Sequence, residues 1–305
     1  MSMVLLKITA YLVMIALGYG LKRTGFFHPT DFRVVSNIVM NITLPAAVIT
    51  SFASMEIQTS MIIIVALGLV SNLVMLGVGA LLSRRRSLPT RTLFMMNMPG
   101  YNIGTFTMPY VQSFMGPQGV AMTSLFDTGN AIMVAGGTFA IISHVLRTDG
   151  TFGLKSLFKI LRSSLPFITY VSMLILILLK IRIPAGVLVI TGPIGAANTF
   201  LAMLMIGLMF ELRLDAAAVK KVGAILLFRF LGAAALALLF YYVSPFSLAV
   251  RQALAIAVFS PVSSLAPLFT QRGNGDGALS SLALSLSILI SLFVMSGLIL
   301  VMGIG

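Results

Sequence analysis

The sequence contains no cysteine, no tryptophan and only two histidines, and charged residues make up 9% of its 305 positions. Without cysteine there can be no disulfide, no thiolate metal site and no cysteine nucleophile. A soluble domain usually carries about 25% charged residues, so this chain could not cover a water-exposed surface. A soluble globular enzyme is therefore excluded.

Apolar residues dominate, with 59% hydrophobic residues and a mean hydropathy of +1.08. About 20 consecutive apolar residues cross a hydrocarbon core of about 30 Å, and we predict an all-α membrane protein with ten transmembrane spans. The predicted spans are 3–21, 34–53, 61–82, 92–114, 120–142, 164–181, 187–209, 222–242, 250–269 and 279–301. Spans 1, 3, 5, 6, 8 and 10 read as plain apolar helices, whereas spans 2, 4, 7 and 9 are interrupted by Pro, Gly and Asn.

The few charges are one-sided, because 20 lysines and arginines face 7 acidic residues. Fifteen of the 20 basic residues fall in the loops that follow the odd-numbered spans. Positive residues favour the cytoplasmic side, which predicts a multi-pass protein of the plasma (inner) membrane with both termini facing outward. The net charge of +13 is thereby explained without a nucleic-acid partner. The expected partners are the lipid bilayer and a small substrate, and a homodimer is left open.

A linker at 147–163 divides the chain into a first set of five spans, 1–146, and a second set, 164–305. Because five is odd, the second set enters the membrane from the opposite side, so a structural repeat would be inverted. Apolar residues with helical spacing in the linker are Leu154, Leu157, Phe158 and Leu161. The basic residues of its other face are Lys155, Lys159 and Arg162. The pattern indicates either a short helix at the anionic cytoplasmic surface or a solvated linker.

Spans 4 and 9 are interrupted at matching places of the two halves. Proline removes a backbone donor and glycine weakens a helix, and unwound backbone survives at membrane depth only where it is buried or lines a wet cavity. Paired broken spans are typical of a transporter's midplane binding site, although each proline could equally make a packing kink. The candidate substrate-binding residues here are Asn97, Pro99, Asn102 and Pro109 in span 4 and Pro261, Ser263 and Ser264 in span 9.

Spans 2 and 7 also carry polar interruptions at matching positions. Span 2 reads Asn41-Ile-Thr43-Leu-Pro45, and span 7 reads Gly192-Pro193-Ile-Gly195-Ala-Ala-Asn198. We expect these residues, Asn41 among them, to face the same cavity. Close packing of helices through small residues is the alternative.

Asp127 is the only acidic residue well inside a predicted span, and it shares a helix face with Thr123 and Asn130. An intramembrane carboxylate is by default a functional hypothesis, and here it could carry a proton or ligate Na⁺ through oxygen. We therefore assign ion coupling to Asp127, Asn130 and Arg229 of span 8. The structural alternative is a buried Asp127–Arg229 ion pair. Beyond H⁺ or Na⁺, no cofactor and no resident metal are expected.

Motifs of membrane-embedded enzymes are missing from the sequence. It contains no G-x-x-x-x-G-K-[ST], no H-E-x-x-H and no G-x-S-x-G, so ATP hydrolysis, a zinc protease and a serine hydrolase are not indicated. We expect a protein that is not an enzyme.

Five short motifs in this order resemble the auxin efflux carrier family, in particular its bacterial-type members. They are Leu17-Gly18-Tyr19-Gly20-Leu-Lys-Arg-Thr-Gly25-Phe-Phe, Asn41-Ile-Thr43-Leu-Pro45, Asn102-Ile-Gly104-x4-Pro109, Met115-Gly116-Pro117-Gln-Gly119 and Asp127-Thr-Gly-Asn130. The resemblance implies two inverted five-helix repeats in which broken spans 4 and 9 cross. It also implies a scaffold of spans 1, 2, 6 and 7 and a moving transport domain formed by the others.

The resemblance further implies a function. A small organic anion, either a dicarboxylate or an auxin-like carboxylate, would bind beside the crossover and be moved by alternating access in a secondary active transporter. Span 9 lacks the asparagine that the family pattern has near this crossing. The bile acid–sodium symporter family is similar in architecture, so a Na⁺-coupled symporter of that type is one alternative, and an anion channel is another.

Overall fold

In the computed structural model, which describes residues 2–28, 30–54, 62–146, 153–210 and 216–304, the chain is helical. The α-helices are α1 (Ser2–Arg23), α2 (Phe32–Ile38), α3 (Leu44–Ala53), α4 (Ile62–Ser83), α5 (Leu88–Asn97), α6 (Met108–Ile132), α7 (Thr138–Leu146), α8 (Leu154–Ser163), α9 (Leu165–Leu178), α10 (Ala185–Ala196), α11 (Asn198–Met209), α12 (Ala216–Tyr242), α13 (Leu248–Ala257), α14 (Ala266–Arg272) and α15 (Gly277–Val301). Five-residue π-helical turns occupy Val39–Thr43, Ile103–Thr107 and Met133–Gly137. Over the described ranges there is no β-strand, and one isolated antiparallel bridge joins Tyr101 and Val262.

Long apolar helices confirm a multi-pass helical membrane protein. Within the described part of the chain, the segments long and apolar enough to cross a membrane are Val4–Arg23, Phe32–Ala53, Ile62–Ser83, Ile103–Leu146, Ala185–Met209, Ala218–Tyr242 and Gly277–Val301. An eighth span results if α8 and α9, which meet at an angle of 83°, are counted together. Length and composition alone thus give seven or eight spans instead of the predicted ten.

The segment Ile103–Leu146 is too long for one span. Its 44 residues would extend about 66 Å at 1.5 Å per residue, roughly twice the hydrocarbon thickness. The chain turns inside it at Gly116, whose φ of 59° and ψ of −150° are not helical, and Pro117 follows directly. Glycine adopts this left-handed φ without the steric cost of a Cβ. The segment is therefore two helices joined at Gly116.

Span 5 is less regular than the plain apolar helix predicted for it. The π-helical turn Met133–Gly137 contains Gly136 with a φ of 132°, a conformation that side chains other than hydrogen avoid. The adjacent glycines Gly136 and Gly137 were the signal in the sequence for this irregularity.

The end of the predicted linker is a helix. Residues 147–152 lie outside the described residues, and Leu154–Ser163 forms α8, which has no buried residue. Spans 2 and 7 are interrupted near the expected places, by the π-helical turn Val39–Thr43 and by the break at Ala197 between α10 and α11.

Two pairs of helices touch backbone to backbone through glycines. Where α1 packs along α11, a Cβ placed on Gly18 would lie 3.2 Å from the Cα of Gly207, and one placed on Gly207 would lie 3.0 Å from the Cα of Gly18. Where α4 packs along α6, a Cβ on Gly68 would lie 3.3 Å from the backbone nitrogen of Asn130, and one on Gly129 would overlap the α4 backbone. Small residues allow such close approach between membrane helices.

Candidate functional site

The two broken segments meet at their breaks. Helix α5 ends at Asn97 and helical backbone resumes at Ile103, whereas α13 ends at Ala257 and α14 begins at Ala266. Between these ends the two segments of the chain run antiparallel. The Asn102 N–H donates to the Pro261 carbonyl at 3.0 Å, and the Ser263 N–H donates to the Gly100 carbonyl at 3.1 Å. The crossing therefore satisfies part of the backbone that the missing helical turns leave without partners.

Arg229 of α12 contacts both breaks at this crossing and is 1% exposed. Its two terminal nitrogens donate, at 2.5 to 3.1 Å, to the backbone carbonyls of Asn97, Met98, Pro99, Gly100, Ser260 and Pro261. These carbonyls follow the C-terminal ends of α5 and α13, where a helix leaves acceptors unpaired and its dipole is negative. One guanidinium thus serves the ends of both broken helices, and it also lies 5.3 Å from the centre of the Tyr101 ring.

The first break is held from the other side by two asparagines. Asn130 of α6 donates to the Tyr101 carbonyl at 2.8 Å and accepts from the Tyr101 N–H at 3.0 Å. Asn72 of α4 donates to the Asn130 side-chain oxygen at 3.1 Å and accepts from the Gly100 N–H at 2.7 Å. Both asparagines are buried, so their amides replace the helical hydrogen bonds that the break removes.

Asp127 is held by the same network. Its Oδ1 accepts from the Asn130 amide at 2.8 Å. Its Oδ2 lies 3.6 Å from the position that a Cβ would take at Gly104, and the Tyr170 hydroxyl oxygen lies 3.4 Å from that position. The Tyr170 hydroxyl is beside the carboxylate, although without the geometry of a well-formed hydrogen bond. The absence of a side chain at Gly104 therefore leaves space in front of both groups.

Asp127 makes no ion pair with Arg229 among the described residues, since the terminal nitrogens of that guanidinium bind carbonyls. The structural alternative of a buried carboxylate–guanidinium pair is not what holds either side chain in this structure.

A cavity of about 380 Å³ lies at the crossing. Its polar lining residues are Ser36, Tyr101, Asn102, Thr105, Asp127, Asn130, Ser163, Ser164, Tyr170, Ser263 and Ser264. Asp127 is the only charged side chain among the described residues that line it. Apolar side chains of α8 and α9, including Ile160, Leu161 and Phe167, close one wall.

Five of the predicted site residues face this cavity, and they come from both halves of the chain: Asn102, Asp127, Asn130, Ser263 and Ser264. Asn97 does not line it. Its amide nitrogen donates to the Leu93 carbonyl at 2.8 Å and its oxygen accepts from Ser280 at 2.7 Å. This side chain ties α5 to α15 instead of facing the cavity.

The predicted prolines and Asn41 also lie outside the cavity lining. The carbonyls of Pro99 and Pro261 accept from Arg229, and the Pro261 carbonyl also accepts from the Asn102 N–H across the crossing. Pro109 is in the first turn of α6, and its carbonyl accepts from Thr199 at 3.4 Å. Asn41 is exposed and its amide donates to the Asn37 carbonyl one turn earlier at 3.0 Å.

The polar residues of spans 2 and 7 pack against each other. The Thr43 hydroxyl donates to the Asn198 side-chain oxygen at 2.9 Å, and a Cβ on Gly195 would lie 2.7 Å from the Cα of Ala47. Close helix packing, the alternative to a cavity-facing role, describes these contacts. Span 2 reaches the cavity through Ser36 and Met40 instead.

Asn72 and Tyr170 belong to the site and were not predicted, since spans 3 and 6 were read as plain apolar helices. The available signal was a short polar interruption of an apolar run, Ser71-Asn72 in span 3 and Thr169-Tyr170 in span 6, because such groups must find partners when they are buried.

The described residues contain no group of three or more histidines or acidic residues that could hold a metal ion. Oxygen-bearing side chains of the cavity lining, Asp127, Asn102 and Tyr170, are of the type that binds hard cations such as Na⁺. Asn130 directs its amide nitrogen, not its oxygen, at Asp127.

Comparison with known proteins supports a transmembrane transporter. Residues 3–148 match the sequence profile of the family described as membrane transport proteins. The chain is also similar to an uncharacterized transporter of Methanothermobacter thermautotrophicus, with 21% identity over 212 residues, which is 68% of each chain. Together with the apolar helices, these two similarities support a membrane transporter.

Proposed function

We propose that this protein is a secondary active transporter that moves a small organic anion across the membrane by alternating access. The observation that carries the proposal is the crossing of two broken segments next to a polar cavity of about 380 Å³. Pockets for small molecules are typically about 300 to 1,000 Å³, so a dicarboxylate or an auxin-like carboxylate is of suitable size.

The architecture that we propose is ten spans in two inverted repeats, 1–146 and 164–305, joined by the linker 147–163. The turn at Gly116 supports it by dividing Ile103–Leu146 into two helices. The crossing supports it as well, because it joins α5 and the Ile103 helix of the first half to α13 and α14 of the second. Both termini would then face outward and α8 would lie at the cytoplasmic side of the plasma (inner) membrane.

Donor groups around the crossing favour an anion. Helical backbone begins at Ile103 beside the cavity, and helix N-termini carry free N–H groups and a partial positive charge. Asn102 adds its amide nitrogen, which has no hydrogen-bond partner among the described residues, while its oxygen accepts from Thr105. The hydroxyls of Ser263 and Ser264 complete a set of neutral donors.

Asp127 couples the substrate to an ion. A carboxylate and an anionic substrate in one buried cavity repel each other strongly where the dielectric constant is low. Because the cavity lining supplies no positive side chain among the described residues, the substrate requires that Asp127 be neutralised by a proton or by Na⁺. Binding of the coupling ion and binding of the anion are then mutually favourable.

Asp127→Asn tests this coupling, since asparagine keeps the shape and removes the charge. With purified protein in proteoliposomes and a panel of monocarboxylates and dicarboxylates, we expect the wild type to respond to an imposed pH or Na⁺ gradient. The variant should keep binding and exchange of the substrate but lose the response to the gradient. Saturation of wild-type uptake with substrate concentration separates a transporter from the alternative of an anion channel.

Asp276→Asn is the matched control. Asp276 caps α15 through its side chain at 3.0 Å from the Leu279 nitrogen, and asparagine is also a good N-cap, so the gradient response should persist. An unchanged gradient response in Asp127→Asn would contradict the coupling role. Failure of every carboxylate to be taken up or to raise the unfolding temperature of the wild type would contradict the substrate class.

A further inference from the structure

Helix α8 lies across the end of a membrane helix. It is joined to α9 through Ser164 alone, and the two axes meet at 83°. With α9 as the sixth of the ten proposed spans, the bend places α8 at the level of the membrane surface with its axis close to the membrane plane. Its ten residues extend about 15 Å along that surface.

The side chains of α8 form an apolar face and a basic face. Leu154 and Phe158 are 84% and 67% exposed, one helical turn apart. The exposed basic side chains Lys155, Lys159 and Arg162 lie on the adjacent face, and the helix has no acidic residue.

The apolar side of α8 continues toward the protein. Ile160 and Leu161 are partly buried there and line the cavity at the crossing. The helix therefore connects the membrane surface with one wall of the candidate substrate site.

We propose that α8 binds the headgroups of anionic phospholipids in the membrane leaflet that it faces. Leu154 and Phe158 would insert among the acyl chains, and Lys155, Lys159 and Arg162 would pair with lipid phosphates. An exposed apolar face beside a purely basic face is the pattern of helices that lie in an anionic interface. A helix that merely links two spans through water does not need two large exposed apolar side chains beside the site where the next span enters the membrane.

Lipid binding at α8 would also act on transport. Because Ile160 and Leu161 belong to the cavity wall, a helix that is held by anionic lipid fixes that wall, and one that is not held can move it. This second step rests on the proposed function, whereas lipid binding itself does not.

The absence of tryptophan from the chain provides a clean test of lipid binding. Phe158→Trp introduces a single tryptophan, and its fluorescence is measured in vesicles in which a fixed small fraction of the lipid is brominated on its acyl chains. Either phosphatidylglycerol or phosphatidylcholine carries the bromine. Enrichment of anionic lipid at α8 should make brominated phosphatidylglycerol quench about twofold more strongly than the same fraction of brominated phosphatidylcholine.

Replacing Lys155, Lys159 and Arg162 by Gln in the Phe158→Trp protein should remove this difference. The control replaces Arg84, Arg85 and Arg86 by Gln, since these three arginines are exposed in the loop between α4 and α5; the difference should persist there. Equal quenching by the two lipids in the Phe158→Trp protein, with its three basic residues in place, overturns the lipid site. Absence of quenching by either overturns it too, because Phe158 would then face water or another protein. Unfolding temperatures verify that each variant is folded.

Substrate uptake is then compared in vesicles with and without phosphatidylglycerol. Uptake by the wild type and by the control with the replaced arginines should depend on the anionic lipid about twofold or more, and uptake by the α8 variant should not. Selective quenching without any carboxylate uptake would support the lipid site and contradict the proposed transport. Carboxylate uptake together with equal quenching by the two lipids would support the proposed transport and contradict the lipid site.

Discussion

The two breaks at the crossing occupy matching places in the chain but are held by different chemistry. At the first break, the amides of Asn72 and Asn130 bind backbone groups of Gly100 and Tyr101. At the second, a hydroxyl is used: Ser287 of α15 accepts from the Val262 N–H at 3.0 Å. A repeat in architecture is thus compatible with different side chains at equivalent positions.

The comparison extends to the helices that supply these groups. Helix α4 supplies Asn72 and α12 supplies Arg229, which are the third spans of the two repeats that we propose. Helix α6 supplies Asn130 and α15 supplies Ser287, from the fifth proposed span of each repeat. Among the described residues that line the cavity, the one carboxylate is Asp127 of the first half, so the charge that we assign to coupling belongs to one side of the crossing.

Arg229→Met should have the largest effect on this comparison, because it removes the one side chain that serves both breaks. Six buried carbonyls would lose this donor, and among them only those of Gly100 and Pro261 also accept an N–H across the crossing. A buried acceptor left without a partner costs about 1–3 kcal/mol. We expect a much lower unfolding temperature in detergent and poor expression. Arg229→Lys has three donors instead of five, and its unfolding temperature should fall between those of the wild type and Arg229→Met. A wild-type unfolding temperature for Arg229→Met would show that the hydrogen bonds of Arg229 are not needed to hold the crossing.

Asn130→Leu should have the next largest effect and should exceed Ser287→Ala. Asn130 makes four side-chain hydrogen bonds, whereas Ser287 satisfies a single backbone N–H of the second break. A buried polar group left without a partner costs about 1–3 kcal/mol, so the free energy of unfolding should fall by about 2–4 kcal/mol for Asn130→Leu. Equal losses in the two variants, measured by denaturant unfolding, would mean that the two breaks depend equally on their partners.

Ser291→Ala should have the smallest effect on stability and serves as the matched control for Ser287→Ala. The two serines are one helical turn apart on α15 and both are buried, but the Ser291 hydroxyl has no hydrogen-bond partner in the described part of the chain. Removing an unsatisfied hydroxyl is neutral or stabilising, whereas removing the acceptor of the Val262 N–H should cost about 1–2 kcal/mol. A marked loss of stability in Ser291→Ala would reveal a partner for that hydroxyl, such as a bound water.

The paired interruption of spans 4 and 9 could be predicted because proline and glycine act on the backbone locally. The residues that hold the crossing were harder to foresee. Arg229 was recognised as a buried charge, but its acceptors are backbone carbonyls, and any sequence provides those. Asn72 follows Ser71 and Tyr170 follows Thr169 within mainly apolar stretches, and nothing in the sequence shows which way these side chains face.

The candidate site shows the same limit. Asn102 and Asp127 line the cavity as expected, whereas Asn97 is as polar as Asn102 and is engaged by Leu93 and Ser280. Which amide stays available depends on the rotation of each helix about its own axis. That rotation is set by packing among distant segments and has no local signature.

The glycine contacts decide which surfaces of this protein can shear. At Gly18 and Gly207, and again at Gly68 and Gly129, neighbouring backbones are in direct contact, so axial sliding of one helix would drive its main chain into the other. Helices α1 and α11 must therefore move together as a rigid unit, and so must α4 and α6. Gly104, by contrast, meets Leu44 of α3 and Tyr170 of α9 through side chains alone, and side chains can exchange neighbours at small cost. Alternating access in this chain would therefore proceed by sliding along the boundary that the cavity occupies. Each helix pair that is packed through glycines would move, or stay in place, as a rigid unit.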